Sequence, residues 1–370
     1  MELSQEYLRE IFNNYNTKSE FVKASKLTFG HINKTYLVIT NKDRYVLQQI
    51  NSYVFKNAKR LIINKAGVSK HIVSKLSYLP EEERNKKVLR FVETNNHLPY
   101  FKDEDSNFWN LTNFIENSYS FLKVQNEKMA LEGGKLIGDF LNNISDYDIN
   151  KIEDIIPNFH NVIFRLKQFD EAKYSASSKR LLNANDEIEF VKKVKSEMCI
   201  IQNLIEEGKI PIQITHNDTK VSNMLFDDNS NGLCLIDTDT VMKGTVLFDI
   251  GDAARTFCST ANEDEVDLKK VEFNIGYFQS LLRGFFNESL NSISKLEVNH
   301  IPLAVKTITF IMGLRMLTDF LNNDVYFNTN YEQHNLDRAR NQFKLVNEIE
   351  KYFEELKTIT NSEYENLIEK

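Results

Sequence analysis

The sequence predicts an α+β chain of two lobes, a small β-rich N-terminal lobe with one crossing helix and a large, mainly α-helical C-terminal lobe. Three observations lead there. Strand-length apolar runs collect in the first third, helix-period patterns fill the chain after Asn117, and one dense polar cluster, framed by strand-sized runs, interrupts the helical part at 214–240. The 370 residues, 41% hydrophobic and 27% charged, suffice for two packed cores, and with only 5 Pro the chain is not linker-rich.

Leu8, Ile11, Phe12 and Tyr15 repeat at helical spacing and predict a short leading helix that polar residues end before Lys26. From Lys26 the pattern becomes LTFGHINKTYLVIT, a break at Asn41-Lys42-Asp43, then RYVLQQI. This reads as two strands joined by a tight turn, with Gly30 near the first. Helical periodicity returns over 53–76 through Val54, Leu61, Ile62, Val68 and Ile72, the crossing helix, and strand-like runs follow at 87–93 and 107–115. In the second lobe, 133–143, 186–207, 266–286, 301–322 and 335–356 read as helices, while 212–215 and 233–236 read as strands around a polar loop. No fixed-period repeat or low-complexity stretch is present.

A net charge of −7, with basic residues interrupted by acids and apolar positions, disfavours nucleic acid as a partner. No charged head with an apolar run opens the sequence, and no run is expected to span a membrane, so the expected location is cytoplasmic. Cys199, Cys234 and Cys258 fit neither a disulfide framework nor a zinc site and read as reduced thiols. Oligomeric state is not legible.

The polar cluster reads ITHNDTKVSNMLFDDNSNGLCLIDTDT, Ile214 to Thr240. Phosphoryl transfer needs an acceptor for a hydroxyl proton and hard oxygen ligands for Mg²⁺, because the protein mainly positions groups and neutralises charge. Asp218 meets the first need, and Asn223 with Asp237 the second. Singly, each is an ordinary loop residue. In the order His-x-Asp, then Asn five beyond, then Ile-Asp after an apolar strand, they form the arrangement of a kinase catalytic loop and metal-binding loop.

His216 to Asn223 resembles the catalytic loop of the aminoglycoside phosphotransferase and choline kinase group, whose fold is protein-kinase-like. The resemblance implies Asp218 as base, Asn223 and Asp237 as Mg²⁺ ligands, His216 as loop support, and Asp249 in LFDIGDAAR as the loop's brace, with a helix N-cap as its alternative role. A narrower resemblance spans GHINKTYLV, VLQQINSYVF, IPNFHN, HNDTKVSNMLFD, LIDTDTVMKG, FDIGDAAR and GLRMLTDFLNNDVYF. In that order these segments are similar to N-acetylhexosamine 1-kinases, which use ATP to phosphorylate the anomeric hydroxyl of N-acetylglucosamine and N-acetylgalactosamine. The implied division is a nucleotide-binding lobe at 1–112, a hinge at 113–118 and a catalytic lobe at 119–370. Gly30 and the backbone of Asn113 and Ile115 are then nucleotide contacts, and His31, Asn33, Lys220 and Arg315 substrate contacts.

Each of these has a plainer alternative. Gly30 can be a strand bend, His31 a satisfied surface histidine, Lys220 a solvated loop lysine, and 111–118 an edge strand. Arg315, in a helix apolar nearly all round, needs a partner, either Asp319 one turn on or sugar hydroxyls. Gln48 stands where many relatives carry a phosphate-binding lysine, which leaves Arg44, Lys34 and Lys65 as candidate replacements. Competing functions are a kinase for an amino alcohol, homoserine or an aminoglycoside, and a nucleotide-binding pseudokinase.

Overall fold

A computed structural model describes residues 3–27, 32–289 and 292–368. The expected leading helix is α1 (Gln5–Phe12), whose Leu8, Ile11 and Phe12 are buried and whose N-cap Ser4 accepts from Tyr7 N. Five antiparallel strands follow: β1 (Phe21–Lys26), β2 (Lys34–Thr40), β3 (Arg44–Gln49), β4 (Phe101–Lys102) and β5 (Phe108–Asn113), in spatial order β1-β2-β3-β5-β4. The β2–β3 pair is the expected hairpin, Lys34 opposite Gln49 and Ile39 opposite Arg44. Period-two burial along β2, at Tyr36, Val38 and Thr40, turns one face onto α1 and Trp109.

The crossing helix is α2 (Ala58–Lys75), capped by Asn57. Leu61, Ile62, Lys65, Val68, Ser69 and Ile72 are all buried, so the helix's inward stripe includes a lysine. Next comes α3 (Glu81–Lys87). The strand expected at 87–93 is replaced by this helix end and an isolated bridge from Phe91 to Thr112. The reason lies in EEERNKK, which has acids in its first turn and bases in its last and so favours a helix.

The helical part comprises α4 (Glu127–Ile144), α5 (Val162–Ser175), α6 (Ser178–Asn183), α7 (Asn185–Met198), α8 (Ile200–Glu206), α9 (Val246–Phe257), α10 (Ile275–Ser289), α11 (Lys295–Leu321), α12 (His334–Lys351) and α13 (Phe353–Ile368). α4 and α10 touch backbone to backbone. A Cβ at Gly134 would lie 2.0 Å from the Leu281 carbonyl oxygen, so only glycine allows that approach. The helix expected over 266–286 starts only at Ile275, because Asp267 caps a short turn at Leu268–Lys270 and Ser259 bridges to Phe273.

α11 is the centre of this lobe and packs against α5, α9 and α12. Its Ser294–Glu297 capping box fixes its start. By length and composition it could cross a membrane, contrary to the expectation that no run would, but 83% of its apolar window is buried inside the protein. The same test is passed by a core helix, and most of this one is buried among its neighbours.

Four short strands complete the lobe: β6 (Gln213–Thr215), β7 (Met224–Phe226), β8 (Gly232–Leu235) and β9 (Met242–Gly244). The two expected strands, β6 and β8, do not pair with one another. β6 pairs with β9 and β7 with β8, so the polar loops at 216–223 and 236–241 join two small ribbons instead of closing one hairpin.

Candidate active site

Asp218 follows β6 at a point where the backbone turns left-handed, Asn217 having φ +62°. A non-glycine residue holds that conformation only when its surroundings over-determine it. Asn217 Nδ2 donates to the carbonyls of Thr215 (3.2 Å) and Thr240 (3.1 Å), and its backbone N–H donates to Asp249 Oδ1 (2.6 Å). The ribbon closes over it at Gly244, where a Cβ would meet Thr215 Oγ1 at 2.3 Å and Asn217 Oδ1 at 2.6 Å.

Asp249, fully buried on α9, also accepts from His216 N at 2.9 Å. It therefore grips two consecutive peptide groups beside Asp218. Burial, reinforced by the charges of Asp252 and Asp218, pushes its carboxyl up to about 7, against the two N–H bonds that favour the charged form. It is not the helix N-cap, a role that Thr245 fills by accepting from Leu247 N.

His216 lies near the Ile236 carbonyl through Nε2 (3.0 Å) and near Asp218 N through Nδ1 (3.3 Å). Those partners fix the Nε2–H tautomer. Burial lowers its pKa, so the ring stays neutral. Asn223, buried in a short turn, turns its amide N–H groups to the Asp218 carbonyl (2.9 Å) and Oδ2 (2.7 Å), which leaves its Oδ1 as an uncommitted acceptor.

Lys220 Nζ is 2.9 Å from Asp218 Oδ2. Burial alone would raise the Asp218 carboxyl, but the charge and hydrogen bond of Lys220 outweigh it and hold the group below the usual carboxylate range. The ammonium is correspondingly raised, because its burial cost is exceeded by the charges of Asp218, Asp237 and Asp252.

Asp237, also left-handed at φ +58°, opens toward solvent in the cleft. Desolvation by the surrounding protein, then the charge of Asp239, pushes its carboxyl up to about 7, a shift that solvent reaching the open carboxylate softens. No side chain among the described residues hydrogen-bonds to it. A hard, open carboxylate and the free Oδ1 of Asn223 fit the oxygen preference of Mg²⁺, which takes its remaining ligands from water and phosphate.

The structure redistributes several expected contacts. Gly30 and His31 lie outside the described residues. Asn33 is not free for a substrate, since its Nδ2 donates to Asp239 and its Oδ1 accepts from Asn51 N. The Asn113 N–H is bonded to the Arg90 carbonyl (3.1 Å), and the Ile115 carbonyl accepts from Ser118 Oγ (2.6 Å), while the Ile115 N–H forms no hydrogen bond among the described residues. Asp319 binds the N–H groups of Tyr326 and Phe327 and the Asn335 amide, so it is not the partner of Arg315. Arg315 instead lies over the rings of Phe159 (5.1 Å), Phe327 (5.6 Å) and Tyr326 (5.8 Å).

Sequence reasoning missed His160 as a member of this site. The ring is buried between Phe159 and Phe248, and its Nε2 meets the Asn217 carbonyl at 2.9 Å, while Nδ1 has no partner. Burial drives its pKa down to about 3, aided by the charges of Arg315 and Arg165. Its place in IPNFHN, one of the segments carrying the narrower resemblance, was the available signal.

Residues 116–279, which hold the whole of this loop system, match the model of the phosphotransferase enzyme family, APH. An aminoglycoside phosphotransferase from Alicyclobacillus acidocaldarius is similar over 98% of each chain, with TM-score 0.59 and 13% identity. A spectinomycin phosphotransferase bound to ADP and spectinomycin matches 96% of this chain and 99% of its own, with TM-score 0.59 and 12% identity. A choline kinase from Cryptosporidium parvum matches 94% and 96%, with TM-score 0.56 and 12% identity. The fold is protein-kinase-like. The match to the phosphotransferase family model covers the part of the chain that holds the loops.

Proposed function

We propose that this protein is an ATP- and Mg²⁺-dependent small-molecule kinase that phosphorylates the anomeric hydroxyl of an N-acetylhexosamine to the sugar 1-phosphate. The N-terminal lobe (1–112) would hold the nucleotide, the connector 113–118 would act as hinge, and 119–370 would carry the acceptor and the chemistry.

The supporting observation is Arg315. Half-buried among three aromatic rings, it forms no ion pair among the described residues, and Arg165 lies near enough that burial and the Arg315 charge lower its pKa to about 10. Two guanidiniums this close would repel a cationic acceptor and suit a neutral, hydroxyl-rich one whose oxygens accept N–H bonds. Amino alcohols and aminoglycosides carry the wrong charge for such a pair.

In this reading the acceptor hydroxyl gives its proton to Asp218 as its oxygen bonds to the terminal phosphorus and the ADP oxygen departs. Asp218 is a weakened base because of Lys220. That suffices for an anomeric hydroxyl, which is more acidic than an ordinary alcohol. Lys220, 2.9 Å from Asp218 Oδ2, would offset charge as the phosphoryl group moves. Asn223 and Asp237 would hold Mg²⁺, which neutralises phosphate charge when bound. Asp249, His216 and His160 keep the loop rigid, so little reorganisation accompanies the reaction.

The test is ADP release with ATP and Mg²⁺ across N-acetylglucosamine, N-acetylgalactosamine, choline, homoserine and kanamycin, with phosphorus NMR of the product. A sugar 1-phosphate supports the reading. Turnover only with another acceptor overturns the sugar assignment, and silence with all of them favours a pseudokinase.

A further inference from the structure

Nucleotide phosphates need a protein cation, and in protein kinases a lysine on the third strand supplies it, paired to an acid on the crossing helix. Here the strand carries the neutral Gln48. Of the three cations that could replace a strand lysine, Arg44 is turned outward to Glu116 and the Phe114 ring, and Lys34 is exposed at the start of β2.

Lys65 is different. It lies on the inward stripe of α2, only 4% exposed. Its Nζ is 2.7 Å from Gln48 Oε1 and 2.6 Å from Asp239 Oδ1. An ammonium this deeply buried is costly unless paired, and it is held one hydrogen bond from where a strand lysine would end. Asn110 Nδ2, 3.3 Å from Gln48 Oε1, helps turn the amide oxygen inward to receive it.

The usual polarity is thus inverted, with the acceptor on the strand and the cation on the helix. Two of the three ammonium donors are engaged; no third hydrogen-bond acceptor is present among the described residues, and the Phe91 ring lies 5.7 Å from the ammonium. Asp239 also accepts from Asn33, so it keeps a partner when the ammonium turns toward another anion. It stands two residues from Asp237, which places Lys65 beside the acidic loop where phosphates and Mg²⁺ would meet.

We propose that Lys65 is the phosphate-binding cation of the nucleotide site, supplied from helix α2, with Gln48 as its positioning residue and Asp239 as its counter-charge before nucleotide arrives. This rests on the kinase reading above. A consequence is that nucleotide binding is tied to the seating of α2, because the cation travels with that helix.

The experiment measures MgADP affinity by calorimetry and KM for ATP on the whole protein, beside thermal melting. Lys65→Met is expected to weaken MgADP binding and to lower kcat/KM for ATP by at least about 30-fold, the scale of a lost charge-assisted contact, with KM for the acceptor unchanged. The exchange Gln48→Lys with Lys65→Gln is expected to recover at least about tenfold of that loss. Gln48→Leu, which leaves the Lys65–Asp239 pair in place, should melt like wild type yet bind MgADP several-fold more weakly, and it decides the matter should Lys65→Met fail to fold. MgADP affinity unchanged in Lys65→Met, or in Gln48→Leu if the former is unfolded, overturns the inference while leaving the kinase reading intact. Wild-type protein without MgADP affinity overturns both.

Discussion

Lys220 Nζ, 2.9 Å from Asp218 Oδ2, makes that carboxylate a weaker base than a free aspartate. Asp218 is held ionised to lower pH than a free aspartate, and in the proposed role of base it would favour a relatively acidic hydroxyl. Removing the lysine should reverse this. In Lys220→Met the Asp218 pKa should rise, moving the acidic limb of the kcat/KM profile to higher pH, with kcat also reduced. An unmoved limb in a pH–rate series would separate Lys220 from the base.

The proposed acceptor contact at Arg315 makes a distinct prediction. Arg315→Met should keep the aromatic packing of the side-chain stem and remove its charge. KM for an N-acetylhexosamine should rise about tenfold or more while KM for ATP holds, the pattern of lost acceptor binding. Choline should become a better competitor than it is for the wild type. Equal changes in both KM values would place Arg315 in the scaffold.

Asp249 carries two peptide N–H groups of the loop, at 2.9 Å and 2.6 Å. In Asp249→Ala those donors are left buried and unpaired, at a cost of about 1–3 kcal/mol each. Urea unfolding should show lower stability, and kcat should fall more than KM rises because the loop loses its geometry. A variant as stable as wild type would remove the brace.

His160 supplies a pH test. Its pKa is about 3 in the folded protein against about 6.5 when exposed, so the native state binds fewer protons. Stability from keeping the ring neutral is then fully present above about pH 6.5 and is lost as pH falls toward 3. Between pH 7 and pH 5, urea unfolding should lose more stability in wild type than in His160→Asn. Matching slopes would contradict burial of a neutral ring.

The loop was legible because its residue types sit at short spacing: His216, Asp218 and Asn223 share hydrogen bonds, and Asp237 acts on Lys220 beside them. β1 was hidden, since FVKASK on a sheet edge buries only Ala24 and shows no alternation. α9 was hidden for a different reason, since its buried face carries Asp249, Asp252 and Arg255 and so breaks the apolar stripe that marks a core helix. Asn33, Lys65 and His160 depend on tertiary meetings with residues 206, 174 and 57 positions away, distances over which local pattern carries no information.

The central claim is that Asp218 accepts the proton of a hydroxyl undergoing phosphorylation, and Asp218→Asn tests it most directly. The substitution keeps the shape and removes the base. Sugar-dependent ADP release should fall roughly 10²–10⁴-fold, while MgADP affinity and thermal midpoint stay near those of wild type. Turnover retained within about threefold of wild type, in a variant that binds nucleotide normally, would contradict the role given to Asp218.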